Sequence, residues 1–189
     1  MTPSTPMMAA RDEINGRGAL ELTTPFFEPH WYAAYTCANH ENRVSEQLAA
    51  REVEHFLPVY RSVRMWRDRR VELDLPLFPG YVFVRLALRD RLRVLQIPSV
   101  ARLVGFGGSP AALPDEEMEI LLGGLGSQLV AEPHPYLAEG RRVRVRSGPL
   151  AGMRGILLRR RGKARLVVSM ELIMRSMAVE IDEADLEAP

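Results

Sequence analysis

Residues 81–86 read as a strand with one aliphatic face and one aromatic face. Tyr81, Phe83 and Arg85 fall on one side of a strand, and Val82, Val84 and Leu86 on the other. The aliphatic side suits a core, whereas the other is aromatic and ends in a cation. Pro79-Gly80 just before the strand is a turn signal, because proline fixes φ and glycine accepts positive φ. Phe78 precedes the turn, where alternation assigns no face. Large rigid rings at a strand entrance can anchor a partner protein. They can equally be core packing, and the pattern leaves both readings open.

The same reasoning extends over the first two thirds of the chain. Residues 31–36 read as a first strand. Asn39 offers an N-cap for a helix over residues 40–54, with Val44 and Leu48 on its buried face and Glu41, Arg43, Glu46 and Arg51 in solvent. Residues 57–60 begin a second strand, and 61–74 form a hairpin with its tip near Asp68-Arg69. A short helix over 90–96 turns Leu92 and Leu95 inward and stops at Pro98. Residues 100–104 are a strand and 105–108 a glycine-rich loop. Asp115, Glu116 and Glu117 suit the positive end of a last helix, whose apolar stripe is Met118, Leu121, Leu122 and Leu125. The order β-α-β-β-β-α-β-α predicts an α+β domain with a mainly antiparallel sheet flanked by helices.

Beyond Gly123-Gly124 the chain is rich in glycine and proline, and then the period becomes 2. Val143 and Val145 alternate with Arg142, Arg144 and Arg146, and further short strands follow around residues 156–158, 166–168 and 179–181. Such a run suggests a small all-β barrel, which closes its own edges. The divisions expected are a disordered tail over 1–28, an α+β domain over 29–126, a linker over 127–137 and the barrel over 138–189.

Charge changes this picture in the second half only. The net charge of the 189-residue chain is +1, yet residues 141–165 hold ten cations and no carboxylate, while 166–189 hold six acids and one cation. A basic half-barrel can meet phosphate or an acidic protein, or be neutralised by the acidic strands folded beside it. Hydrophobic content of 47% and charged content of 26% fit a soluble globular protein. The single cysteine, Cys37, excludes an internal disulfide and a cysteine-rich metal centre, and fits a reducing cytoplasm. No apolar run reaches the roughly 20 residues of a membrane span, and the N-terminus lacks the layout of a secretory signal. His30, His40, His55 and His134 show no metal-ligand spacing. No nucleophile-base order surrounds Cys37. The reading is a cytoplasmic monomer that binds rather than catalyses, with no cofactor and no metal.

Several segments, in order, resemble the NusG-type transcription elongation factors. Trp31-Tyr32, His40 to Val44, Leu57-Pro58, Leu77 to Val82, Pro98 to Val100, Leu103 to Gly105 and Leu113 to Glu117 are similar to their N-terminal NGN domain. Glu139 to Val143 and Gly148 to Gly155 resemble the KOW motif of their C-terminal barrel, with Gly140, Val143, Gly148, Pro149, Gly152 and Gly155 at its marked positions. The resemblance implies an NGN domain that binds the clamp helices of RNA polymerase and suppresses pausing. It implies a polymerase-binding surface of Leu77, Phe78, Pro79 and Tyr81, joined by Tyr35 and Tyr60. Arg64, Arg67, Arg69 and Arg70 on the hairpin are candidates for contact with upstream or non-template DNA, for contact with the polymerase protrusion, or for a merely solvated face.

In the housekeeping factor a late barrel loop carries an aromatic within an Ile-Phe-Gly-Arg-like sequence. Here that region reads Met170 to Ser176, without the aromatic or the glycine. This departure, with the 105–110 loop and residues 132–137, is closer to the specialised antitermination paralogs of the RfaH, UpxY and LoaP type. The expectation is therefore a specialised elongation or antitermination factor. The alternatives are a housekeeping factor whose barrel couples polymerase to Rho or the ribosome, and a KOW-based RNA-binding protein.

Overall fold

The computed structural model describes residues 25–66, 69–126, 131–137, 139–160 and 163–189. The tail expected over 1–28 lies outside these residues up to position 24. The first layer is a four-stranded antiparallel sheet in the order β2-β5-β1-β6. Its strands are β1 (His30–Thr36), β2 (Glu54–Phe56), β5 (Tyr81–Leu86) and β6 (Val100–Leu103). β5 lies between β2 and β1, in register with β1 from Tyr35 opposite Tyr81 to His30 opposite Leu86.

The alternation read along β5 divides two cores. Val82, Val84 and Leu86 join Tyr32 and Ala34 of β1 in one apolar cluster, and Phe83 joins Trp31 and Ala33 in another. The first cluster is roofed by α1 (Glu41–Ala50), whose Val44 and Leu48 are fully buried, and by Val94 of α2 (Leu92–Leu95). Full burial of such aliphatic side chains stabilises by about 1.5–3 kcal/mol each. Tyr32 is also fully buried here, and burial pushes its phenol above the usual range.

Three local expectations are corrected. Asn39 does not cap α1, because it adopts φ 63° in the preceding turn and His40 occupies the cap without a side-chain bond. The helix ends at Ala50, before Glu52 at φ 55° turns the chain into β2. In α2 Leu95 packs against the core as expected and Val94 is fully buried beside it, whereas Leu92 is 57% exposed.

The hairpin expected over 61–74 is a separate two-stranded ribbon of β3 (Val59–Trp66) and β4 (Arg69–Pro76). Its tip falls between Trp66 and Arg69. Pro58 divides it from β2, and the Pro58 carbonyl accepts a bond from the Leu77 amide, which closes the base of the ribbon. The residues read as a glycine loop form a second small hairpin, β7 (Gly105–Phe106) with β8 (Ser109–Pro110).

α3 (Asp115–Gly126) crosses to the second layer, a six-stranded antiparallel sheet in the order β14-β10-β11-β12-β13-β9. Its strands are β9 (Ala131–His134), β10 (Arg141–Val145), β11 (Arg154–Arg160), β12 (Lys163–Met170), β13 (Arg175–Glu180) and β14 (Leu186–Glu187). β9 comes from the stretch expected as linker. It occupies an edge, where Pro133 can be accommodated without donating to a ladder. Behind it, the Ser169 hydroxyl donates to the Leu137 carbonyl at 2.6 Å, and the Leu137 amide donates to Ser176 at 3.2 Å. This segment is strapped onto the sheet rather than spanning freely between layers.

The two layers share one apolar cluster. Trp31, Phe78, Phe83, Leu113, Met118 and Leu121 belong to it with Val143, Leu150, Met153, Leu166, Val168, Met170 and Met177. The stripe expected on α3 provides much of the junction, and Met118 and Leu121 line a small cavity with Met153, Val168 and Met170. Leu150, at the turn between β10 and β11, enters a notch opposite Gly124. A Cβ at position 124 would collide with the Leu150 side chain and lie 3.2 Å from the Pro149 carbonyl oxygen. Gly124→Leu should improve intrinsic helix propensity by up to about 1 kcal/mol yet separate the layers. The expected outcome is an increased radius of gyration by small-angle scattering with unchanged far-UV circular dichroism. An unchanged radius would show that the notch does not hold the layers together.

Candidate functional site

The turn that opens β5 is held at the amides of Gly80 and Tyr81. Tyr81 donates its amide to the Phe78 carbonyl at 3.1 Å, and Gly80 has φ 87°. With proline at the second position and a positive-φ glycine at the third, this is a type II turn. The Gly80 carbonyl accepts from the Thr36 amide at 2.8 Å, which ties the turn to the end of β1. The Gly80 amide donates to Glu41 Oε1 at 2.6 Å, which ties it to the first turn of α1.

Glu41 is only 3% exposed, although the sequence pattern assigned it to solvent. The helical period contained a signal for its position. Glu41, Val44 and Leu48 stand at i, i+3 and i+7, so Glu41 lies on the buried stripe. Its charge obscured that signal.

The turn sorts the expected interaction residues into two groups. Leu77 and Phe78 are 1% exposed, and Phe78 packs edge-on against Phe83 at 5.7 Å between ring centroids. Both are core in this arrangement. Pro79 is exposed, Tyr81 is half-buried, and Tyr35 is 40% exposed beside Tyr81 at 5.4 Å. Tyr60 is half-buried at the base of the ribbon. The surface portion is therefore a Tyr35–Tyr81 pair beside Pro79.

Arg102 of β6 adds a group the sequence pattern did not single out. It faces solvent with Cζ 5.5 Å from the centroid of the Tyr35 ring, within cation–π range. Arg102 stands opposite Tyr35 in the β1–β6 register, a pairing that strand order alone creates. Arg85, the cation at the end of the aromatic face, pairs with Glu54 on β2 at 3.6 Å.

At the start of α3, Asp115 receives the Trp31 amide at 3.2 Å and stands 2.8 Å from His30 Nδ1. Its carboxylate anchors the helix to β1. On the ribbon, Arg61 lies 3.8 Å from Glu72 and 4.0 Å from Asp74 near the base. Arg69 and Arg70 are exposed near the tip. Arg67 and the side chain of Arg64 lie outside the described residues.

In the second sheet, Gly148, Pro149 and Gly152 belong to the turn that presents Leu150. Val143 is buried, Gly155 stands opposite it in β11, and Gly140 precedes β10. The acidic end does fold against part of the basic stretch. Arg144 stands between Glu187 on β14 and Arg154 on β11, and Arg165 stands opposite Glu180 on β13 while its side chain pairs with Glu132 on β9 at 2.6 Å. Among the described residues, no helix is long and apolar enough to cross a membrane.

These features define a mixed α/β protein with antiparallel sheets and an aromatic turn at its surface. Residues 29–122 match the family model described as "Transcription termination factor nusG". The chain is 30% identical to the transcription termination/antitermination proteins NusG of Yersinia pestis and of Escherichia coli strain K12, over 83% of this chain and 94% of each relative. It is similar in fold to a structure of domain interaction in Thermotoga maritima NusG, with a TM-score of 0.54 and 24% identity over 85% of this chain and 97% of that one. The chain belongs to the NusG family of transcription factors.

A side chain at position 80 would test how tightly the turn is held. The φ of 87° is unfavourable for an L residue, and a Cβ would sit 3.4 Å from Tyr35 Cε2. Gly80→Ala is expected to lower stability by about 1–2 kcal/mol, measured by denaturant unfolding.

Proposed function

We propose that this chain is a specialised elongation or antitermination factor that binds the clamp helices of RNA polymerase and suppresses pausing or termination. In this reading residues 29–126 act as an NGN domain, and 138–189 form a KOW barrel that takes β9 from the preceding connection as an edge strand. The observation that carries the reading is the Tyr35–Tyr81 pair presented beside Pro79 on a turn held at the amides of Gly80 and Tyr81. Half-exposed aromatic rings on a rigid support suit a protein interface, because little side-chain entropy remains to be lost. Phe78 packs against Phe83 in the core. Phe78→Ala is therefore a core truncation, costing about 3–5 kcal/mol of stability, and is a poor probe of binding.

Tyr35→Ala combined with Tyr81→Ala is expected to weaken binding to the protein's own RNA polymerase by about thirtyfold, the loss of roughly 2 kcal/mol typical of aromatic anchors. Circular dichroism should show the fold retained. Unchanged affinity in the folded double variant would overturn the site.

The ribbon supplies a second surface in this proposal. Arg69 and Arg70 are exposed near the tip of the ribbon, and its acidic residues Glu72 and Asp74 lie toward the base beside Arg61. A two-stranded ribbon has the width to approach duplex DNA, here upstream or non-template DNA. Replacing Arg64, Arg67, Arg69 and Arg70 with glutamine should lower the salt dependence of binding to an elongation complex by roughly one unit of slope for each phosphate no longer neutralised. An unchanged slope would reject the contact with DNA.

The housekeeping reading is supported by the names of the curated relatives, and it would have the second sheet recruit Rho or the ribosome. In place of the aromatic loop stands a 3-10 turn over Glu171–Ile173, followed by Met174 at φ 51° and 56% exposed. Capture of Rho or ribosomal proteins by the tagged full chain, alongside polymerase, would favour that alternative.

A further inference from the structure

We infer that Glu41 is a positioning residue for the polymerase-contacting turn: its carboxylate selects the orientation of the Pro79–Gly80 peptide and so aims Tyr81 beside Tyr35. The inference rests on the polymerase-binding reading of that surface. Type I and type II turns differ chiefly by a flip of the central peptide. In the turn from Phe78 to Tyr81 that peptide carries the Gly80 amide. Glu41 Oε1 stands 2.6 Å from this nitrogen, and both residues are buried. Flipping the peptide would turn the amide away from its acceptor and leave a buried carboxylate without that donor, which is unfavourable in a low-dielectric setting. The observed φ of 87° at Gly80 is the conformation that the bond to Glu41 favours.

The turn propagates this choice to the surface. Gly80 also accepts from Thr36, the neighbour of Tyr35, so the helix, the end of β1 and the start of β5 meet at one residue. The space above Gly80 is filled by the Tyr35 ring, which would lie 3.4 Å from a Cβ there. Glu41 itself is too buried to touch a partner, so it acts through the placement of the two rings.

The test uses the full chain, its own RNA polymerase and four variants. Glu41→Ala removes the acceptor. Glu41→Gln keeps an acceptor oxygen at the same reach without the charge. Glu41→Asp keeps the charge but falls short by one methylene. Tyr81→Ala is the control for the surface. Polymerase affinity is measured together with hydrogen exchange at the Gly80 amide and thermal unfolding. Glu41→Ala should exchange faster at Gly80 and bind about tenfold more weakly, the loss of one charge-assisted hydrogen bond. Glu41→Gln should restore both readouts toward wild type, a rescue that loss of general stability would not produce.

If Glu41→Ala does not fold, Glu41→Asp decides: fast Gly80 exchange with weakened binding supports the role, and fast exchange with wild-type affinity overturns it. Wild-type affinity in a folded Glu41→Ala variant, while Tyr81→Ala binds weakly, overturns the positioning role and leaves the surface assignment standing. Wild-type affinity in Tyr81→Ala as well removes the polymerase reading itself, and this inference with it.

Discussion

The hydrogen bond from the Gly80 amide to Glu41 ties the turn that opens β5 to the helix that roofs the first layer. It joins residues 39 apart in sequence and crosses from the roofing helix to the turn beneath it. A bond to an ionised acceptor stabilises by roughly 1.5–3 kcal/mol, and breaking it would strand a carboxylate in a buried site. Position 80 must be glycine-like in its backbone, α1 must begin at position 41, and β5 must start at Tyr81. Each requirement fixes the others. The β1–β5 ladder, which places Tyr35 opposite Tyr81, ends at this turn.

A second constraint is the continuous apolar cluster that joins the two sheets. α3 is its hinge element, anchored at one end by Asp115 on His30 and Trp31 and notched near the other by Gly124. Rigid anchorage at the start of the helix turns Met118 and Leu121 toward the second sheet. Because the cluster extends from Phe83 to Met177, Phe78 is absorbed into it instead of standing at the surface. The result is a division of labour within a single turn. Leu77 and Phe78 fill the core, and Pro79 and Tyr81 reach solvent.

Much of the fold was legible because its signals are local. Alternation over residues 81–86, the Val44–Leu48 pair, the acidic start of α3 and the Pro-Gly turn each arise from interactions within a few residues. They dictate strand, helix and turn through backbone geometry alone. The glycine-rich loop and the proline-rich connection were less legible. Gly107-Gly108 and Pro133 read as breakers, yet a two-residue turn and a sheet edge are places where such residues are compatible with strands.

By itself the sequence determined where most of the strands and helices form, the two faces of β5, and the motifs that mark the NusG family. Tertiary structure alone decided the rest: that Glu41 is buried, that Phe78 is core, that Arg102 lies against Tyr35, that β9 closes the edge of the second sheet and that Leu150 fills the notch at Gly124. Each depends on a partner far away in sequence, and a residue's pattern of near neighbours carries no record of which distant group will face it. A charged side chain on an apolar stripe is uninformative until the donor that satisfies it is brought within hydrogen-bonding distance.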